Sequence, residues 1–253
     1  MTLIAAFRCR NNGILLCADR QEDDGIAKRQ VDKLHRLSGL RECEVWIAGA
    51  GITATVDDAY IEADRSLRVA EQAGISLLTE HKEIIENSLK GTHDRYREYV
   101  RDWPLHMIFV VAPRLAGRAP ILYRTDKHRL IPVTVYTAWG SGKTIADYLA
   151  DRLYQHGIQT VPLIVLAAFI LREGESASGV GLGNDMVLVR PGGWIEYHTE
   201  SIAEIQKGIP DLRDAIRSHW QENVTIPEWL KNHAETDEWD LSSKPIISST
   251  DQT

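Results

Sequence analysis

The chain has 253 residues, 43% of them hydrophobic, and a formal net charge of -7. That length and apolar share suffice for one substantial core, and the acidic balance argues against nucleic acid as a partner. No run of about 18 apolar residues occurs, which excludes a helical membrane span. The opening MTLIAAFRCR lacks a basic region followed by a long apolar one, so no secretory signal is expected. Cys9, Cys17 and Cys43 show no CxxC pairing, which predicts buried, reduced thiols and a cytoplasmic setting. His81, His93, His106 and His128 have no ligand spacing, so no metal is expected.

In chain order, residues 2–9 and 13–19 are apolar runs around Asn11-Asn12-Gly13, a hairpin signal. VDKLHRLSG and EVWIAGAG read as two further strands. From residue 52 to 73 Val56, Ala59, Ile61, Ala63, Leu67, Val69 and Ala70 mostly recur at helical spacing, and a second helix is expected over 77–100. HMIFVVA, APILYRT and VTVYTAW restore strands. Two helices follow, over 143–156 and 161–171, the second so apolar (PLIVLAAFIL) that it belongs between layers. DMVLVRP and WIEYH form a closing hairpin tipped by Gly192-Gly193. A last helix is expected over 211–220, then a loosely held acidic tail. Strands and helices come in groups, which favours an α+β architecture of four layers, αββα, with two antiparallel sheets between helices. The expected division is a main domain over 1–205 and a C-terminal helix with tail over 206–253.

The stretch YTAWGSGKTIADYL ends like a phosphate-binding loop at Gly142-Lys143-Thr144. The first loop glycine is replaced by Thr137, where the backbone must turn with positive φ, so ATP binding is not expected.

Chemistry starts at Thr2. Removal of Met1 would expose a hydroxyl nucleophile together with its own α-amine, a base of reference pKa about 7.7–8.0. Asp19 closes the second apolar run and Lys33 lies in VDKLHRL. A Lys beside the nucleophile lowers the pKa of hydroxyl and amine. On these two residues alone a surface ion pair, worth about 0–1 kcal/mol, is the simpler reading.

The set TLIAAFRCRNNGILLCADRQ, G-x5-VDKLHRL, VWIAGAG and WGSGK resembles the proteasome β-type and HslV-like peptidase family of N-terminal nucleophile hydrolases. The resemblance covers roughly residues 2–200. It implies Thr2 as nucleophile, Asp19 and Lys33 as its electrostatic partners, and Gly49 N–H as oxyanion donor. It also implies Ser141 as support for the amine, and Glu175 with Ser178 as the last site elements. Glu175 stands where the family has Asp, one methylene shorter. The resemblance implies a threonine-type endopeptidase that needs no cofactor and takes peptides or unfolded protein. Its implied partners are copies of itself in a homo-oligomeric ring and, as a candidate, an ATPase unfoldase. Two other readings stay open, a non-catalytic ring or scaffold subunit and an amidase acting on a small amide. Val31, Ile47 and Gly51 are expected to line the pocket, which suggests cleavage after apolar side chains. On the first helix Ile61, Leu67 and Val69 spread apolar character over more than one face, as a contact surface would.

Overall fold

The structure is a computed structural model that describes residues 2–23, 28–98, 105–175 and 183–209. The unit Met1–Ile209 contains all of these; Pro210–Thr253 forms a second unit, in which the helix expected over 211–220 lies outside the described residues.

The N-terminal hairpin pairs β1 (Leu3–Cys9) with β2 (Gly13–Asp19), Cys9 opposite Gly13. Its loop is the single helical turn Arg10–Asn12. Asn11 and Asn12, at φ 62 and 58, carry the left-handed conformation expected of the Asn-Gly pair. Asn tolerates that region because its short amide bonds locally. Next come β3 (Gln21–Asp23) and β4 (Lys28–Gln30), a small extra hairpin that the sequence did not announce. β5 (Leu34–Leu37) and β6 (Cys43–Ala50) follow.

Helices α1 (Thr53–Gln72) and α2 (Leu77–Tyr96) lead to β7 (His106–Pro113), β8 (Ile121–Asp126) and β9 (Arg129–Pro132). The strand expected at VTVYTAW is shorter. β9 ends at Pro132, which has no N–H to continue a ladder, and β10 (Tyr136–Gly140) begins in the other sheet. Then come α3 (Lys143–Leu153), α4 (Thr160–Gly174), β11 (Asn184–Arg190), β12 (Gly193–Tyr197) and α5 (Thr199–Lys207). Helix α5 was not foreseen. It is short, and Ile202 is its only fully buried side chain, too little periodicity to stand out.

One antiparallel sheet has the order β10-β1-β2-β11-β12, the other β5-β6-β7-β8-β9. Their inner faces share a core of Ile4, Leu16, Trp46, Ile108, Val110 and Val187. The alternate residues Val45, Ile47, Phe109 and Val111 turn outward onto Ala59, Ala63 and Leu67 of α1 and Ile85 and Leu89 of α2. Helices α3 and α4 cover the other sheet, packing on β1, β2 and β10. This is the αββα sandwich. Strands covered on both faces read as continuous apolar runs rather than alternating ones, which is why TLIAAFRC and GILLCAD look as they do. Each fully buried Leu or Phe in these layers contributes about 1.5–3 kcal/mol. The apolar stripe of α1 divides: Leu67 is wholly buried under the helical layer, whereas Ile61 and Val69 are exposed at 48% and 59%.

Candidate active site

β2 delivers Asp19 to the end of the sandwich, where its side chain is 0% exposed. Asp19 Oδ1 accepts the Leu3 N–H at 2.7 Å and Lys33 Nζ at 2.8 Å, and Oδ2 accepts the Gln21 N–H at 3.1 Å. Lys33 sits just before β5 rather than on a strand. Its ammonium, 7% exposed, also donates to the Gln21 carbonyl. Charges so removed from water persist only when paired and hydrogen-bonded, and both conditions hold. The surface-pair reading therefore fails on burial.

Thr2 lies beside this pair. Its backbone N–H donates to Ser141 Oγ at 3.2 Å, Ser141 Oγ donates to the Thr2 carbonyl at 3.4 Å, and so does the Gly142 N–H at 3.3 Å. The glycines around Ser141 are there for contact. Gly140, at φ 95, would put a Cβ 1.9 Å from the Thr2 carbonyl oxygen, and Gly142 one 2.9 Å from Leu3 Cβ. No side chain fits either place. Lys143 begins α3 and its ammonium pairs with Asp147 one turn on. The turn holds Thr2 against the start of β1.

A pocket of about 140 Å³ joins Thr2, Lys33 and Gly49 with Val31 and Gly51. Gly49 also owes its identity to space, because its Cβ would stand 2.2 Å from Val56 Cγ1 of α1. Ile47, expected in the lining, is two residues back on the same face of β6 and is buried under the helical layer. Pocket walls that the sequence did not suggest are polar: Asp32, His35, Thr53 and Asp57, beside Val56. His35 is half-buried and its ring packs, tilted by 37°, against Tyr60 with centroids 4.5 Å apart. Burial lowers its pKa, against the opposing pull of Asp57 and Asp32.

Glu175 follows α4 and is exposed. Its Oε1 accepts Asn184 Nδ2 at 2.9 Å, and Asn184 is buried directly opposite Asp19 in the β2–β11 ladder. Glu175 is thus tied to the site through Asn184, a residue sequence reasoning passed over although it opens an apolar strand with a polar side chain. Ser178 lies outside the described residues. Among the described residues no cluster of three or more His, Cys, Asp or Glu side chains could hold a metal ion. Nor is any helix among them long and apolar enough to cross a membrane.

Two antiparallel sheets between helical layers, with the start of β1 at the sandwich's end, make a proteasome-like fold of the N-terminal nucleophile hydrolase type. Solved structures that share it are Anbu proteins. A Gly-1 mutant of Anbu from Hyphomicrobium sp. strain MC1 has a TM-score of 0.74 and 16% identity, over 90% of this chain and 100% of that one. Anbu (ancestral beta-subunit) from Yersinia bercovieri has a TM-score of 0.73 and 16% identity, over 89% and 98%. The helical assembly of the Anbu complex from Pseudomonas aeruginosa gives 0.71 and 14%, over 90% and 99%. At these identities the likeness is one of fold. No family model matches the chain, and no curated protein matches it. The HslV-like placement expected from the motifs is corrected by these neighbours, since Anbu is a family related to the HslV-like peptidases but distinct from them.

Proposed function

We propose that this chain is a threonine-type hydrolase of peptide bonds, with Thr2 as the nucleophile once Met1 is removed. One observation carries the proposal. Lys33, its ammonium held by the buried Asp19 carboxylate and the Gln21 carbonyl, lines one pocket with Thr2 and Gly49. In this reading Thr2 Oγ attacks the carbonyl carbon and its proton passes, through a water, to the freed α-amine. Lys33 keeps that amine largely unprotonated by its positive charge. Gly49 N–H stabilises the tetrahedral oxyanion, the amine side of the peptide leaves with the proton, and water releases the acyl group. Asp19 is a positioning residue, holding Lys33 rather than touching substrate.

The chain is further proposed to assemble with copies of itself, with exposed Ile61 and Val69 on α1 available for contact. The P. aeruginosa Anbu complex is described as a helical assembly. Repeated head-to-tail contacts give a ring when the rotation closes and a helix when it does not. Substrates would be peptides or unfolded protein. The test is intact mass followed by hydrolysis of a mixed peptide library. Loss of Met1 together with peptide cleavage is expected; retained Met1, or an uncut library after its loss, contradicts the proposal.

A further inference from the structure

We infer that the pocket beside Thr2 selects a cationic side chain, Lys- or Arg-like, on the acyl side of the bond to be cut, and that Asp57 makes the selection. The inference rests on the hydrolase reading only for where the scissile bond lies. Its basis is the charge that the pocket leaves unbalanced.

Four charged or titratable side chains line the pocket: Lys33, His35, Asp32 and Asp57. Lys33 is committed to Asp19 and the Gln21 carbonyl. Asp32 is paired with Arg20, which also lies 3.5 Å from Asp185. Burial holds His35 toward its neutral form. Asp57 is exposed and makes no ion pair or hydrogen bond among the described residues. The net field offered to a ligand is therefore negative and centred on Asp57.

The α1 N-terminus also faces this pocket through Thr53 and Val56. It carries roughly half a positive charge, against the whole negative charge of Asp57. It weakens the attraction for a cation without reversing it. Val31 and Val56 offer apolar surface on which a long methylene stem can lie while its charged head reaches a carboxylate. A volume of about 140 Å³ is well below the roughly 300–1,000 Å³ of sites for drug-sized ligands. It suits one side chain. Of the residues behind the expected apolar preference, Val31 and Gly51 line the pocket and Ile47 does not.

The experiment uses blocked tetrapeptide coumarin amides that differ only in the residue before the scissile bond: arginine, its uncharged isostere citrulline, leucine or glutamate. The native chain should cleave the arginine substrate with a kcat/KM about fivefold or more above the citrulline one, the upper range for a solvent-reachable charge pair. In Asp57→Asn that ratio should fall to about one, and in Asp57→Lys glutamate should overtake arginine. A ratio near one in the native chain, or one that survives Asp57→Asn, overturns the inference. If no substrate is cut, the hydrolase reading fails separately, and calorimetry with the corresponding free-acid tetrapeptides decides. Arginine should then bind about fivefold more tightly than citrulline, and Asp57→Asn should abolish the difference. Equal binding overturns the inference.

Discussion

Lys33→Met removes the ammonium and keeps most of the stem, which isolates the charge. With Asp19 at 0% exposure, the variant leaves a carboxylate buried beside an apolar group. Breaking a buried pair from one side costs about 3–5 kcal/mol. Asp19 still accepts the Leu3 and Gln21 N–H bonds, at 2.7 and 3.1 Å, so the lower end, about 3 kcal/mol, is expected. In a folded unit of this size each kcal/mol moves Tm by about 2–4 °C, giving a fall of about 6–12 °C. Urea unfolding and calorimetry should agree, with protomer concentration held constant because association would itself shift Tm. Asp19→Asn combined with Lys33→Met should recover part of the loss, since an amide needs no counter-charge. A loss under about 1 kcal/mol for Lys33→Met would refute the reasoning and return the pair to the exposed class.

Gly49→Ala drives a Cβ to within 2.2 Å of Val56 Cγ1. The overpacking should cost about 1–3 kcal/mol, and Val56→Ala in the same chain should restore about half of it; denaturant midpoints that do not move would disprove the contact. Burial lowers the pKa of His35, His81 and His106 below the ordinary 6.5, so their contribution to stability is present above pH 6.5 and is lost as pH falls through the folded values. Tm should accordingly decline below that pH, and His81→Gln, which removes the ring bonded to the Leu77 carbonyl and the Tyr123 hydroxyl, should flatten the decline; an unchanged acid profile would speak against a neutral buried His81. Burial pushes the thiols of Cys17 and Cys43 up to about 12, so at pH 8 roughly one in ten thousand of each is thiolate. A thiol reagent should leave both unlabelled until the chain unfolds, and rapid labelling of either in the native protein would contradict their placement.

The αββα order was legible because long apolar runs and helical spacing survive in the sequence wherever an element is covered by a layer. PLIVLAAFIL reads as buried because α4 is buried. Asp19, Lys33, Gly49 and Ser141 were singled out as motifs, and the glycines among these motifs stand where a Cβ has no room: Gly140 and Gly142 enclose Ser141 against the start of β1, and Gly49 sits under Val56. The pocket wall was legible only in part, at Val31 and Gly51. Asp57 and Val56 come from the first turns of α1, and only the three-dimensional packing of α1 on β6 brings them beside Thr2. Ile47 was misplaced because strand alternation says which face a residue takes, not how far a helix extends over it. The branch of the fold was misjudged because the motifs are a few short stretches around one end of the sandwich, whereas the neighbours are distinguished by the fold of the whole chain.

The measurement that bears most directly on the central claim is turnover of a peptide substrate by three chains of verified N-terminal mass: native, Thr2→Ser and Thr2→Ala. Because Thr2 precedes β1 and contributes nothing to the core, all three should fold and elute alike. If Thr2 is the nucleophile, Thr2→Ser keeps measurable hydrolysis while Thr2→Ala loses more than about a thousandfold; hydrolysis by Thr2→Ala within about threefold of the native rate would contradict it.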